Sequence, residues 1–262
     1  MEKIHFLCGM QRSGSTLLAC LLNQHPEIYS TATSPLFDLI SSLERQLNIC
    51  NNQFTFDCEN VSSRLIPSVI NSYHGDIKKP IVLDKHREWI SNISTIKKYT
   101  DNPKIICTNR SVPEVITSFI KLIENNNTLN NLVDKSLRSN GIPISINNRA
   151  DYIFKEYVGK VIGYITRGLG ECGECIHIVE YNDLVSDPQN TMDKIYEFLE
   201  VKSFDHNFDN IENTCKEDKD EAWGIENLHV IRNKLKKTST PPEEVLGKEL
   251  TEYYHQFDVK YS

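Results

Sequence analysis

Residues 4–18 read IHFLCGMQRSGSTLL, and they gather the side chains best suited to holding an anion. Gly9 and Gly14 let a short loop turn tightly and let its backbone approach a ligand. Arg12 adds a fixed charge with several donors. Ser15 and Thr16 add hydroxyls. An apolar run precedes the loop and another follows it. That is the pattern of a buried strand feeding a helix, whose first N–H groups and dipole then face the same point. In an ATP-binding loop, a Lys stands just before the Ser/Thr and reaches the β/γ-phosphates, while the hydroxyl holds Mg²⁺. Here Ser15 takes that place and the cation sits inside the loop at Arg12. The pattern suits a phosphate-like anion and is poorly built for Mg-triphosphate.

A second constellation lies in CTNRSVPEVITSFIKL, residues 107–122. Arg110 ends an apolar run, Pro113 suits the first turn of a helix, and Ser118 lies in the second turn. An Arg at a strand's C-terminal edge and a hydroxyl on the following helix can converge on one anion.

These residues need a scaffold, and the rest of the chain reads as alternating strand and helix. Continuous apolar runs at 3–9, 80–85, 103–110 and 175–181 predict strands buried on both faces. Apolar spacing predicts helices at 15–24, 34–48, 62–73, 88–99, 113–124, 149–169 and 188–201, and a last one from about Pro242. The stretch 125–148 is rich in Asn and Ser with little periodicity, which predicts a lid or a disordered connection. The expectation is one α/β domain over 1–262: a P-loop-type three-layer fold with a central, mostly parallel sheet flanked by helices.

Composition narrows the function. A net charge of −7 argues against a general nucleic-acid binder and leaves room for a local basic pocket. No apolar run reaches membrane-spanning length, and no secretory leader pattern precedes Ile4. The reading is therefore a cytoplasmic protein without a membrane partner. The eight cysteines are irregularly spaced. Cys172 and Cys175 form the one CxxC, expected as a turn with two thiols. No second ligand pair suggests zinc, and no metal is expected.

The run MQRSGSTLLACLLNQHP resembles the 5′-phosphosulfate loop of sulfotransferases that use 3′-phosphoadenosine 5′-phosphosulfate (PAPS), and it is closest to the protein-tyrosine and carbohydrate-type branch. The resemblance implies that Arg12, Ser13, Gly14, Ser15 and Thr16 hold the 5′-phosphosulfate. It implies that Arg110 and Ser118 hold the 3′-phosphate. YNDLVSDPQNTMDKIYEFLEV, residues 181–201, resembles a further family segment and places Tyr181 near the cofactor, with Asn182 where the family has Glu. HVIRNKLKKTSTPPEEVLG, residues 229–247, resembles the segment that covers the nucleotide. It nominates Arg232 and Lys234, with Lys236 and Lys237 read equally well as solvated charge.

The implied reaction moves a sulfuryl group to an acceptor hydroxyl on a carbohydrate, a small molecule or a peptidyl Tyr, leaving adenosine 3′,5′-bisphosphate. Charge growing on the bridging oxygen calls for a cation, and the candidates are Arg12 and, by resemblance, Lys85 at the end of the second apolar run. The branch's Glu pair after His-Pro is replaced here by Ala32 and Thr33. His86, adjacent to Lys85 and of suitable unperturbed pKa, is the substitute base. Asp38, Glu88 and His229 stand behind it. Residues 31–75 and 125–148 are left to shape the acceptor pocket. Two other readings remain: a P-loop kinase of a nucleoside or small metabolite, and a catalytically inactive nucleotide-binding module.

Overall fold

The first apolar run becomes the middle strand of a parallel sheet. The computed structural model describes residues 3–53, 57–126, 131–214, 231–236 and 240–261. Its strands are β1 (Lys3–Gly9), β2 (Ile28–Ser30), β3 (Ile81–Lys85), β4 (Ile105–Asn109) and β5 (Ile176–Glu180), in the order β2-β3-β1-β4-β5. Every neighbouring pair runs parallel. The chain leaves β1 for the β2 edge, returns to β3, then crosses to β4. The order therefore switches at β1, and a crevice opens above the C-terminal ends of β3, β1 and β4.

Strand alternation divides the core into two layers. Ile4, Phe6 and Cys8 of β1, with Ile105 and Cys107 of β4, pack on one face; Leu7 and Ile106 pack on the other. The second face is covered by α1 (Ser15–Gln24) and later by α9 (Tyr181–Ser186) and α10 (Pro188–Leu199). The first face is covered by α2 (Leu36–Gln53), α3 (Cys58–Tyr73), α4 (Ile93–Tyr99), α5 (Val112–Asn126), α6 (Leu132–Ser139), α7 (Ile146–Ile153), α8 (Gly159–Cys172) and α11 (Pro242–His255). Both faces of the sheet are dry, so its strands read as unbroken apolar runs.

The structure corrects several sequence expectations. β2 was not anticipated: three residues carry no periodicity, and the strand is held by side chains. Asn23 brackets Ser30 through its N–H and carbonyl, and Lys79 Nζ donates to the carbonyls of Asn23, His25 and Ile28. The helix expected at 88–99 is instead a 3₁₀ turn, Trp89–Ser91, followed by α4. Trp89 Nε1 is tied to buried Asp84 at 2.8 Å, which fixes the turn against the sheet. The stretch 125–148 holds α6 and the start of α7. Asn131 caps α6 by accepting from Asp134 N–H, and the Asp134 carboxylate takes a bidentate pair from Arg149. Between α7 and α8 the helix widens into a π turn, Phe154–Val158. Cys172 and Cys175 are joined as a disulfide, not left as two thiols.

Candidate active site

The loop after β1 is shaped by two glycines and one strained residue. Gly9 has φ 144° and Gly14 has φ 86°. A Cβ on Gly9 would run into Thr108, its backbone included, because β1 and β4 approach closely there. A Cβ on Gly14 would lie 2.8 Å from Tyr181 Cδ2. Arg12 has φ 63°, a left-handed conformation that costs about 1 kcal/mol for a residue with a side chain. That turn aims its carbonyl at Arg110, whose Nη1 donates to it at 3.0 Å. A charged hydrogen bond offsets the strain.

The two constellations meet there. Arg12 Nε donates to Ser118 Oγ at 3.1 Å. The guanidinium of Arg110 lies 4.1 Å from the centre of the Tyr181 ring and bonds Glu114 at 3.2 Å through Nε. Tyr181 thus supports Arg110 and packs on Gly14. The next strand contributes Lys85, whose Nζ donates to Thr16 Oγ1 at 3.3 Å. β3 thus brings an ammonium group to the start of α1. Gly14 caps α1 without a side chain, and no acid lies in the helix's first turn, so its positive end faces the crevice.

A cavity of about 790 Å³ spans this region. Half-buried or buried Arg12, Lys85, Arg87 and Arg110, together with exposed Lys121, Arg232, Lys234 and Lys236, line it against Glu88 and Glu114. On a chain of net charge −7, that is a local concentration of positive charge. One further donor was not anticipated. Thr117 Oγ1 is buried, lines the cavity and has no hydrogen-bond partner among the described residues. A buried hydroxyl left unpaired costs about 1–3 kcal/mol. Its place beside Ser118 was the available signal in the sequence. A pocket with separate cationic centres suits a ligand carrying more than one anionic group.

Ser13 is corrected. Its hydroxyl lies inward, bonded to Met10 O at 2.5 Å and to Thr108 Oγ1 at 2.6 Å, and it does not line the cavity. It clamps the loop to β4 and offers no side-chain donor to a ligand. Ser15, Thr16, Arg110, Ser118 and Tyr181 all line the cavity, as do Arg232 and Lys234. The segment 231–236 is tied down by Ile211 N–H to Asn233 O and Leu235 N–H to Phe208 O. Ile231 and Leu235 pack toward the core. Lys234 also pairs with Asp209 at 2.5 Å. His229 and Lys237 lie outside the described residues.

His86 lines the cavity stacked on Phe37, ring centres 4.8 Å apart. The Glu88 N–H donates to its Nδ1 at 3.3 Å, so the neutral ring carries its proton on Nε2. Nε2 faces Asp38 Oδ2 at 3.7 Å. Burial lowers the imidazole pKa below 6.5, with Asp38 pulling the other way. The ring is thus held neutral, but its lone pair is engaged by the backbone. Taking a proton from an acceptor requires the Glu88 N–H contact to open. Glu88 also lines the cavity, while Asp38 is 69% exposed and does not. Ala32 and Thr33 line the cavity where the expected Glu pair is missing.

No helix among the described residues is long and apolar enough to cross a membrane. Comparison with curated proteins finds no match. A family model described as "Sulfotransferase family" matches residues 5–206. Among solved structures, the sulfotransferase domain from the curacin biosynthetic pathway superposes with a TM-score of 0.52 at 20% identity, covering 78% of this chain and 76% of that one. A sulfotransferase from Alicyclobacillus acidocaldarius gives a TM-score of 0.50 at 15% identity, covering 84% of this chain and 87% of that one. At these identities the likeness is one of fold.

Proposed function

The chain belongs to the sulfotransferase family, and on that premise we propose that it transfers a sulfuryl group from PAPS to an acceptor hydroxyl. The observation that carries the reading is the junction of the two anion sites: Arg12 Nε on Ser118 Oγ and Arg110 Nη1 on Arg12 O. A nucleotide phosphorylated at two separate positions explains why two strand–helix junctions converge. A triphosphate held by one loop does not require the second.

When bound, PAPS supplies the transferable sulfuryl group. Arg12, Ser15, Thr16 and the N-terminus of α1 hold its 5′-phosphosulfate. Arg110 and Ser118 hold the 3′-phosphate, and Tyr181 keeps Arg110 oriented by stacking. Thr117 is an added donor on the same helix. Arg232 and Lys234 close over the nucleotide. Lys85, already beside Thr16, opposes the charge that grows on the bridging oxygen. His86 takes the acceptor's proton once its Nδ1 is released from Glu88 N–H. Catalysis in this scheme is positioning plus charge stabilisation. The acceptor is a small molecule, a carbohydrate or a peptidyl Tyr, and its side of the cavity includes Ala32, Thr33 and Glu88. A cytoplasmic setting is part of the same reading.

The kinase alternative is disfavoured by Asp84. It is the acidic residue nearest the end of the strand beside β1, where a kinase would hold Mg²⁺. It is fully buried, and its two oxygens are taken by Trp89 Nε1 and His74 Nε2. The test is incubation with radiolabelled PAPS and a panel of hydroxyl acceptors in the presence of a chelator. Labelled product with matching release of adenosine 3′,5′-bisphosphate is expected. Phosphoryl transfer from ATP, and none from PAPS to any acceptor, overturns the assignment.

A further inference from the structure

At the opposite edge of the sheet from the cavity, α8 ends in Cys172, a short 3₁₀ turn follows, and Cys175 leads into β5. The two cysteines form a disulfide within one turn of chain. Cys172 is 5% exposed, whereas Cys175 is half-buried and reachable from solvent. Lys97, in the last turn of α4, donates from Nζ to Cys172 Sγ at 3.0 Å. A CxxC pair at a helix N-terminus has its thiolate stabilised by the helix dipole. Here Cys172 sits at a helix C-terminus, where the dipole opposes a thiolate. Lys97 supplies the missing positive charge, and it reaches the buried sulfur, the one that an incoming thiol cannot readily attack.

We infer that Cys172–Cys175 is an exchange-active disulfide for small thiols, attacked at Cys175 and leaving at Cys172, with Lys97 stabilising the leaving sulfur. An external thiolate bonds to Cys175 Sγ, and the Cys172–Cys175 bond breaks with its electron pair going to Cys172 Sγ beside the Lys97 ammonium. A second thiol, losing its proton, attacks the external sulfur of the mixed disulfide and frees Cys175 as a thiolate. The two protein thiolates take up the two protons. The sum is protein disulfide plus two thiols giving protein dithiol plus one small disulfide. The rate of such an exchange rises as the leaving thiol becomes a better thiolate. The other described cysteines form no disulfide and are mostly buried, so this pair is distinct from them.

The experiment follows reduction of the full chain by dithiothreitol, with samples quenched by a maleimide and read by mass spectrometry. Lys97 is exposed, so its substitution leaves the fold intact, which thermal melting checks. Lys97→Met is expected to slow reduction about fivefold, and Lys97→Arg to keep it within about twofold. After treatment with oxidised glutathione, Cys172→Ser is expected to carry an adduct on Cys175, while Cys175→Ser carries far less on Cys172. Equal reduction rates in wild type and Lys97→Met overturn the role of Lys97. A pair that stays blocked under dithiothreitol, or a preferred adduct on Cys172, overturns the exchange itself.

Discussion

Arg12 and Ser118 are 106 positions apart in the chain, and Arg12 Nε lies 3.1 Å from Ser118 Oγ. Two segments that each resemble an anion site are therefore joined by a side-chain hydrogen bond. The parallel order of β1 and β4 brings both loops to the same sheet edge, and Gly9 allows the two strands to close on each other. The consequences can be measured.

The loop's glycines are expected to tolerate a methyl group unequally. Gly141 also has positive φ, but nothing lies within 4 Å of its absent Cβ. Gly141→Ala should therefore report backbone strain alone, about 1 kcal/mol. Gly14→Ala adds a collision with Tyr181 and should cost more, weakening nucleotide binding as the ring is pushed from Arg110. Gly9→Ala collides with the backbone of Thr108 and should be the least stable. Thermal melts of the three variants check the order. A Gly9→Ala protein as stable as Gly141→Ala would show that the close approach of β1 and β4 is not what fixes the loop.

Lys85 is expected to act on turnover more than on affinity. If its ammonium opposes charge that develops only during transfer, Lys85→Ala should lower turnover about 100-fold or more. Affinity for adenosine 3′,5′-bisphosphate should fall by less than about tenfold, because Arg12 and Arg110 remain. Single-turnover kinetics alongside calorimetry separate the two. Equal losses in both would reduce Lys85 to a binding residue.

Acid is expected to weaken the fold through one buried and one half-buried histidine. Burial pushes His5 down to about 4, helped by Lys104, and His206 down to about 4, helped by His25. His5 Nδ1 accepts Lys104 N–H, and His206 sits between Gln24 Oε1 and the Tyr196 hydroxyl. Both are neutral when folded. Their folded pKa values lie below the unfolded 6.5, so their contribution is full above about 6.5 and is lost as pH falls toward 4. For His5, 3% exposed, this amounts to about 3 kcal/mol at 1.36 kcal/mol per unit. Melting temperatures measured from pH 7 to 4.5 should fall, and His5→Gln should flatten part of that fall. A parallel loss in the variant would place the acid sensitivity elsewhere.

The legible part of this protein was local. Continuous apolar runs marked β1, β3, β4 and β5, because a sheet covered on both faces has no polar side to interrupt them. Gly9, Arg12, Gly14, Arg110 and Ser118 were visible because turn chemistry and strand ends are written in adjacent residues. What was missed depends on distant partners. β2 stands on Asn23 and Lys79, and α6 on Arg149. The 3₁₀ turn at Trp89 stands on Asp84. Ser13 looked like its neighbours in the loop, and only the approach of Thr108 turns it inward. The tautomer of His86 follows from a backbone N–H two residues on, which its sequence position does not announce.

Calorimetric titration with adenosine 3′,5′-bisphosphate reads the proposed site for a nucleotide phosphorylated at two positions without any acceptor. The titration is run without Mg²⁺, then with Arg110→Ala and Arg110→Lys, then with ATP and Mg²⁺ on the wild type. Tight metal-free binding of the bisphosphate is expected. Arg110→Ala should weaken it at least tenfold, or about 1.5–3 kcal/mol for a charged hydrogen bond. Arg110→Lys should not restore it, since a lysine cannot both stack on Tyr181 and reach Arg12 O. Binding of ATP with Mg²⁺, and none of the bisphosphate, would mean that the cavity is not a site for a nucleotide phosphorylated at two positions.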